Sequence, residues 1–62
     1  MPNLKPYKGR VKTSDGVLSG EYVDWFTDDE DARASYYVIM EQQGYKVKSV
    51  TVENQIAIVE VE

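Results

Sequence analysis

Carboxylates are the most abundant reactive side chains in this 62-residue chain, which has eleven of them. A pair of carboxylates at a suitable separation can perform general acid–base catalysis, and alternating carboxylates around a glycine bind calcium. The densest run, residues 28–31, is consecutive and does not fit a calcium loop. Consecutive acids are typical of a helix start, where the positive end of the helix dipole favours them.

Histidine and cysteine are both missing from the sequence. This removes the commonest general base, the commonest zinc ligands and any disulfide. The sequence also has no glycine-rich phosphate loop and no nucleophile paired with a base. We therefore expect a protein that is not an enzyme and that binds no metal and no cofactor.

Five of the seven basic residues fall in two short alternating segments. They are Lys8, Arg10, Lys12, Lys46 and Lys48. If the two segments form neighbouring strands, these side chains make one positive patch for phosphates or for an acidic protein surface. The alternative is a solvated strand face whose lysines discourage edge-to-edge aggregation. Alternation puts Tyr7 and Tyr45 on the opposite side, so the base-stacking pattern of single-strand binders is missing.

Two aromatic residues are further candidates for partner contact. Tyr37 lies with Ala34 and Val38 on the outer side of a helix predicted for residues 27–44, away from the residues that would face the core. Trp25 lies two residues before that helix. Tyrosine and tryptophan are common anchors of protein–protein contacts. The alternative for Tyr37 is packing over the margin of the sheet. Together with the five basic residues, Tyr37 and Trp25 form the predicted partner-binding set.

The element around which the chain is organised is a predicted amphipathic helix over residues 27–44. Thr27 and Glu30 match the S/T-x-x-E capping box, and Gly44 is a natural residue to follow a helix end. At about 100° per residue, one stripe faces the core. Its members are Ala32, Tyr36, Ile39, Met40 and Gln43.

Four alternating segments predict strands on either side of this helix. Residues 7–13 and 17–26 flank an Asp-Gly pair that is typical of a hairpin turn, and residues 45–52 and 56–61 follow the helix. A slip in the alternation at Lys48–Ser49 predicts a β-bulge, and Gly20 predicts a bulge or a close helix contact. Residues 1–6, with two prolines, are predicted to be an extended lead-in.

The predicted architecture is therefore a single α+β domain with the order β-β-α-β-β. A mainly antiparallel sheet of about four strands carries the helix on one face, which leaves the other face open to water or to a partner. The N-terminal residues show no signal peptide, and no apolar run approaches the ~20 residues of a membrane helix. We expect a cytoplasmic protein that does not enter a membrane.

Residues 9–50 resemble two families of small proteins. The helix start Thr27-x-x-Glu30 with Ala32, and the step from Gly44 through Tyr45 into the next strand, resemble the small RNA-polymerase-inhibiting proteins of T7-like phages. The strand, helix and strand order, with a basic strand after the helix, is also similar to archaeal LX-type ribosomal proteins, a strongly basic family, whereas this chain has a net charge of −4. The first resemblance implies a small phage module that binds a host protein, with RNA polymerase or another nucleic-acid enzyme as a possible target.

The functional prediction is a non-enzymatic protein-binding module, phage-encoded or otherwise accessory, that inhibits or modulates a larger protein by occupying its surface. One alternative is nucleic-acid binding through the same basic residues. Another is a small homo-oligomer, since an open sheet face or the strand at residues 56–61 can pair across a two-fold axis.

Overall fold

The computed structural model describes residues 3–62, which form one sheet and one helix. The elements are β1 (Lys5–Lys12), β2 (Leu18–Phe26), α1 (Asp29–Gln42), β3 (Val47–Glu53) and β4 (Ile56–Val61). The strand order is β2-β1-β4-β3, with β1 antiparallel to β2, β3 antiparallel to β4, and β1 parallel to β4. The predicted α+β class, element order and mainly antiparallel sheet are confirmed.

The topology consists of two hairpins joined by the helix. After the β1–β2 hairpin, α1 crosses one face of the sheet, and the β3–β4 hairpin then inserts β4 next to β1. The two outer strands are therefore β2 and β3, and β1 and β4 are paired on both sides. The helix packs mainly over β3 and β4 and covers one face of the sheet.

The first strand begins at Lys5, two residues earlier than the sequence pattern predicts. The lead-in prediction is wrong for Lys5 and Pro6, and residues 1 and 2 lie outside the described residues. Proline is tolerated here because β4 pairs with β1 only from Lys8 onwards. The Pro6 carbonyl instead accepts a hydrogen bond from Nε2 of Gln55 at 2.7 Å.

Both predicted bulges are present, and they decide which side chains share a face. The β1–β2 register shifts opposite Arg10, where Gly20 has a left-handed φ of 74°. Alternation along residues 17–26 predicts Leu18 and Tyr22 on one face, and this prediction is wrong, because the shift places Leu18 opposite Lys12, on the other face from Tyr22. The β3–β4 register shifts at Lys48, which keeps the valines of β3 on the helix side.

The helix begins one residue later than the predicted capping box requires. Its N-cap is Asp28, whose side chain accepts a hydrogen bond from the Asp31 backbone N–H at 2.8 Å. The Asp31 carboxylate in turn accepts from the Thr27 backbone N–H at 3.1 Å. The prediction of Thr27 as cap with Glu30 as partner is wrong, because Asp28 is an equally good cap. Glu30 pairs with Arg33 instead, at 2.7 Å.

The predicted helix end at Gly44 is confirmed. Gly44 has a φ of 97°, its N–H donates to the Glu41 carbonyl at 3.0 Å, and the Tyr45 N–H donates to the Met40 carbonyl at 3.1 Å. These two bonds make a Schellman motif, which satisfies carbonyls that the helix end leaves free. Gln43 is the C-cap and is exposed, so its predicted place in the core stripe is wrong.

The core lies between α1 and the sheet and centres on Tyr36. Its ring is fully buried, stacks edge-on against Phe26 with centroids 5.2 Å apart, and lies directly over Gly9. The Tyr36 hydroxyl lies 3.2 Å from the carbonyl oxygens of both Tyr7 and Tyr22 and shares its proton between them. The Tyr36 side chain of α1 therefore links β1 to β2 through its hydroxyl while its ring fills the core. The other buried core residues are Tyr7, Val11, Ala32, Met40, Ala57, Val59 and Val61.

Candidate functional site on the open sheet face

The side of the sheet opposite α1 has no element of residues 3–62 packed over it. We call this side the open face and define it by strand register and exposure. Its members are Leu18, Val23 and Trp25 of β2, Lys8, Arg10 and Lys12 of β1, Ser49, Thr51 and Glu53 of β3, and Ile56, Ile58 and Glu60 of β4.

Three basic residues form a row along the middle of the open face. Lys8, Arg10 and Lys12 occupy alternate positions of β1 and are all exposed, while the residues between them are buried under the helix. We call these three residues the cation row. Lys8 makes an exposed ion pair with Glu21 at 3.4 Å, whereas Arg10 and Lys12 make no ion pair with any residue in the described part of the chain.

The five predicted basic residues do not lie on neighbouring strands, because β4 separates β1 from β3. The strand adjacency on which the single-patch prediction depends is therefore wrong. Lys48 nevertheless lines one hollow of about 430 Å³ together with Lys12, Glu60 and the β1–β2 turn. Lys46 precedes β3 and lies outside the sheet, where its carbonyl accepts a hydrogen bond from the Glu62 N–H.

Exposed apolar side chains flank the cation row on both sides. Trp25 and Val23 on β2 are each 58% exposed, and Ile56 on β4 is 43% exposed. A hollow of about 340 Å³ lies between these two strands and is lined by Val23, Ile56, Pro6 and Lys8 among others. The sequence predicts that the pair Trp25–Phe26 anchors the strand-to-helix corner, and this is wrong for Trp25 only. Phe26 is buried at that corner, and Trp25 opposes Pro6 on the open face.

The sequence prediction missed the aliphatic part of this surface. The exposure of Val23 and Ile56 could have been predicted, because their strands carry apolar residues on both faces. The exposure of Leu18 could not, because the bulge at Gly20 changes the face on which Leu18 lies. A half-exposed sheet normally alternates apolar and polar residues. Apolar residues on the second face are therefore the sequence signal for a surface that a partner covers.

Tyr37 lies on a different surface from Trp25. It is 44% exposed on α1 and lines a groove of about 460 Å³ between the helix and the outer strand β3. The other lining residues are Arg33, Ala34, Ser49 and Val50. The predicted partner-binding residues therefore divide between two surfaces, with the cation row and Trp25 on one and Tyr37 on the other.

Three tyrosines in the core or packed against it, Tyr7, Tyr22 and Tyr36, have raised pKa values. Burial, together with the hydrogen bond from Tyr7 to Asp29 at 2.8 Å and the nearby negative charge, raises the pKa of Tyr7 to about 12. Burial and the negative charge of Asp24 raise the pKa of Tyr36 to about 12. These shifts belong to the core. At the rim of the hollow near Lys12, the hydroxyl of Thr13 donates to Asp15 and lowers the pKa of that carboxyl.

Comparisons with protein families, with curated proteins and with solved structures gave no significant match to this chain. No relative assigns the chain a function. Within residues 3–62, no helix is long and apolar enough to cross a membrane, and no three acidic side chains are grouped in a way that would hold a metal ion. Any function assigned to the open face therefore has to be argued from the side chains that form it.

Proposed function

We propose that this protein is a non-enzymatic binding module that uses the open face to occupy a surface of a larger protein and so modulates it. The observation that carries the proposal is the exposure of Leu18, Val23, Trp25 and Ile56 around the cation row. Exposed apolar side chains that are contiguous and bordered by charges are typical of protein interaction sites. Tryptophan is a typical hot-spot residue of such an interface.

Charge at this surface favours a protein over a nucleic acid. Glu21 and Glu60 lie on or beside the open face, next to Lys8 and Lys12 respectively. A phosphate backbone would be repelled by these carboxylates while it is attracted by the cations. A protein surface can instead place a cation opposite each carboxylate, an anion opposite each cation and an apolar group opposite each apolar side chain.

The test is affinity capture from lysate of the source cells, followed by affinity measurement with the captured protein. Replacing a hot-spot tryptophan typically costs about 2 kcal/mol or more, which is roughly a 30-fold loss of affinity. We expect Trp25→Ala to lose at least this much and Val17→Ala, which removes an exposed side chain at the β1–β2 turn, to bind normally.

A third variant separates the two surfaces that the predicted residues occupy. Tyr37→Ala truncates the helix groove and leaves the open face intact. A partner that is lost with Tyr37→Ala and retained with Trp25→Ala would refute the open face as the binding site and place the interface at the groove.

Single-stranded nucleic acid is the second candidate, and one observation favours it. Trp25 lies on the same face as the cation row, which supplies the stacking side chain that Tyr7 and Tyr45 do not. Because Trp25 is the only tryptophan, its fluorescence reports directly on a bound oligonucleotide. Contacts from three cations predict roughly a 20-fold loss of affinity between ~50 mM and ~200 mM salt. An absence of quenching at the lower salt concentration would exclude this candidate.

A further inference from the structure

We infer that the open face binds an acidic amphipathic helix of the partner, lying along the cation row. This inference rests on the proposed function, because it specifies the kind of element that the open face accepts. It uses three properties of the surface: the pairing of β1 on both sides, the spacing of the cations and the apolar strands that flank them.

Backbone hydrogen bonding excludes an extended segment lying on this face. β1 is paired to β2 on one side and to β4 on the other, so it has no free edge with which a partner strand could form backbone hydrogen bonds. An extended segment lying across the side chains would leave its own N–H and C=O groups unpaired, at about 1–3 kcal/mol for each buried group. A helix satisfies these groups internally.

The spacing of the cation row matches the spacing of one helix stripe. Alternate residues of a strand are about 6.6 Å apart, and helix residues four apart rise by about 6 Å. Carboxylates at every fourth position of a helix can therefore face Lys8, Arg10 and Lys12 in turn, and long flexible side chains absorb the small mismatch. Arg10 and Lys12, which have no ion pair in the described part of the chain, provide the strongest attraction.

The width of the surface also matches a helix. A helix with its side chains is about 10 Å wide, and adjacent strands are about 4.8 Å apart, so one helix over β1 also covers β2 and β4. Those are the strands that carry Val23, Trp25 and Ile56. Apolar residues flanking the acidic stripe would contact these side chains, and one of them would enter the hollow between Val23 and Ile56.

The resulting complex would be a three-layer arrangement with the sheet between two helices. An open sheet face with apolar residues is most simply covered by a helix. The acidic first turn of α1, Asp29–Asp31, lies with its helix on the other side of the sheet. The open face itself also carries Glu53 and Glu60, and Glu21 pairs with Lys8, so the attraction for an acidic helix is local to Arg10 and Lys12.

The experiment uses a synthetic peptide of about 15 residues with both ends capped, in which glutamate recurs at every fourth position and leucine flanks each glutamate. The matched peptide replaces each glutamate with glutamine. Binding to the full-length protein is followed by Trp25 fluorescence and by the gain of helical circular dichroism from the peptide. We expect the glutamate peptide to bind at least tenfold more tightly than the glutamine peptide at ~50 mM salt, where surface charges are weakly screened.

Variants of the protein test whether the cation row is the contact. Arg10→Glu should weaken binding of the glutamate peptide at least tenfold, and Arg10→Gln should weaken it less. Lys5→Glu makes a similar charge change on the helix side of β1, where Lys5 opposes the buried Phe26, and should alter binding less than twofold. Equal losses in Arg10→Glu and Lys5→Glu, or equal binding of the two peptides, would overturn the inference.

Failure of this inference is distinguishable from failure of the proposed function. If a captured partner depends on Trp25 but the glutamate peptide neither binds nor competes, the open face is a binding site whose occupant is not an acidic helix. If the captured partner also ignores Trp25, both proposals fail. A mass above the monomer at ~100 µM that returns to the monomer in Trp25→Ala would show a second copy on the open face and would likewise overturn the inference.

Discussion

The contact between Tyr36 and Gly9 allows a specific prediction about stability. A Cβ atom added to Gly9 would lie 2.5 Å from Cε1 of the Tyr36 ring and 2.8 Å from its Cζ atom. Gly9 is not among the glycines with a positive φ, so its backbone accepts an alanine and only the ring opposes it. Gly9→Ala therefore tests whether the helix packs as closely on β1 as the structure shows.

The magnitude follows from the displacement of the ring. Non-bonded carbon atoms settle about 3.5–4.0 Å apart, so the ring must move by about 1 Å. The Tyr36 hydroxyl is already 3.2 Å from the Tyr7 and Tyr22 carbonyl oxygens, so this movement breaks its hydrogen bonding. Overpacking at about 1–3 kcal/mol and a lost hydrogen bond at about 1 kcal/mol give a loss of about 2–4 kcal/mol. A core of this size supplies only about 3–5 kcal/mol.

The assay is urea unfolding followed by far-ultraviolet circular dichroism for Gly9→Ala, Tyr36→Phe and the double variant. Tyr36→Phe removes only the hydroxyl and should lower the free energy of unfolding by about 1 kcal/mol. In the Gly9→Ala background the same change should have almost no effect, because the hydroxyl is already displaced. Gly44→Ala is the control for backbone strain, since Gly44 has a φ of 97° and no atom within 4 Å of an added Cβ. It should lose about 1–2 kcal/mol.

A loss below about 0.5 kcal/mol for Gly9→Ala, which is typical of a surface substitution, would refute this reasoning. Strict additivity of Gly9→Ala with Tyr36→Phe would contradict the mechanism more narrowly. It would show that the ring yields to the new methyl group without losing its hydroxyl contacts.

Two further predictions concern the helix start and the response to alkaline pH. Asp28→Ala should lower the free energy of unfolding in urea by about 1 kcal/mol, and Thr27→Ala should have a smaller effect, because Asp28 is the N-cap. A larger loss of stability in Thr27→Ala than in Asp28→Ala would show that Thr27 is the N-cap after all. Tyr7 and Tyr36 have pKa values raised to about 12 from 10.0, so folding favours their neutral forms. Their contribution to stability should be complete below pH 10 and lost as the pH rises towards 12, and Tyr7→Phe should reduce that loss in urea titrations.

Most of the fold was predictable because each element carries a local signal. Period-two alternation located all four strands, Gly44 located the helix end, and the phase slip at Lys48 located a bulge. The helix start was misplaced by one residue because Thr27 and Asp28 are both good caps. The choice between them depends on which side chain Asp31 reaches.

The candidate site was less predictable because it depends on strand order. Local patterns identified the cation row and Trp25 separately, but they contain no information on which strands are neighbours. The insertion of β4 beside β1 separates the basic residues of β1 from those of β3 and brings Ile56 next to Lys8. Long-range pairing of this kind is a property of the whole chain, and so the position of these apolar residues beside the cation row emerged only from the structure.

The core and the proposed binding surface lie on opposite faces of the same sheet, so the proposed binding can be measured through its effect on stability. Trp25 is exposed and contributes nothing to the core under α1, so Trp25→Ala should leave the melting temperature of the free protein almost unchanged. A partner at a hundred times its Kd that binds only the folded form adds about 2.7 kcal/mol. In a domain of this size, that corresponds to a rise in Tm of roughly 10–20 °C. A rise of this size in the native chain but not in Trp25→Ala would assign the stabilisation to the open face, whereas an equal rise in both would refute that assignment.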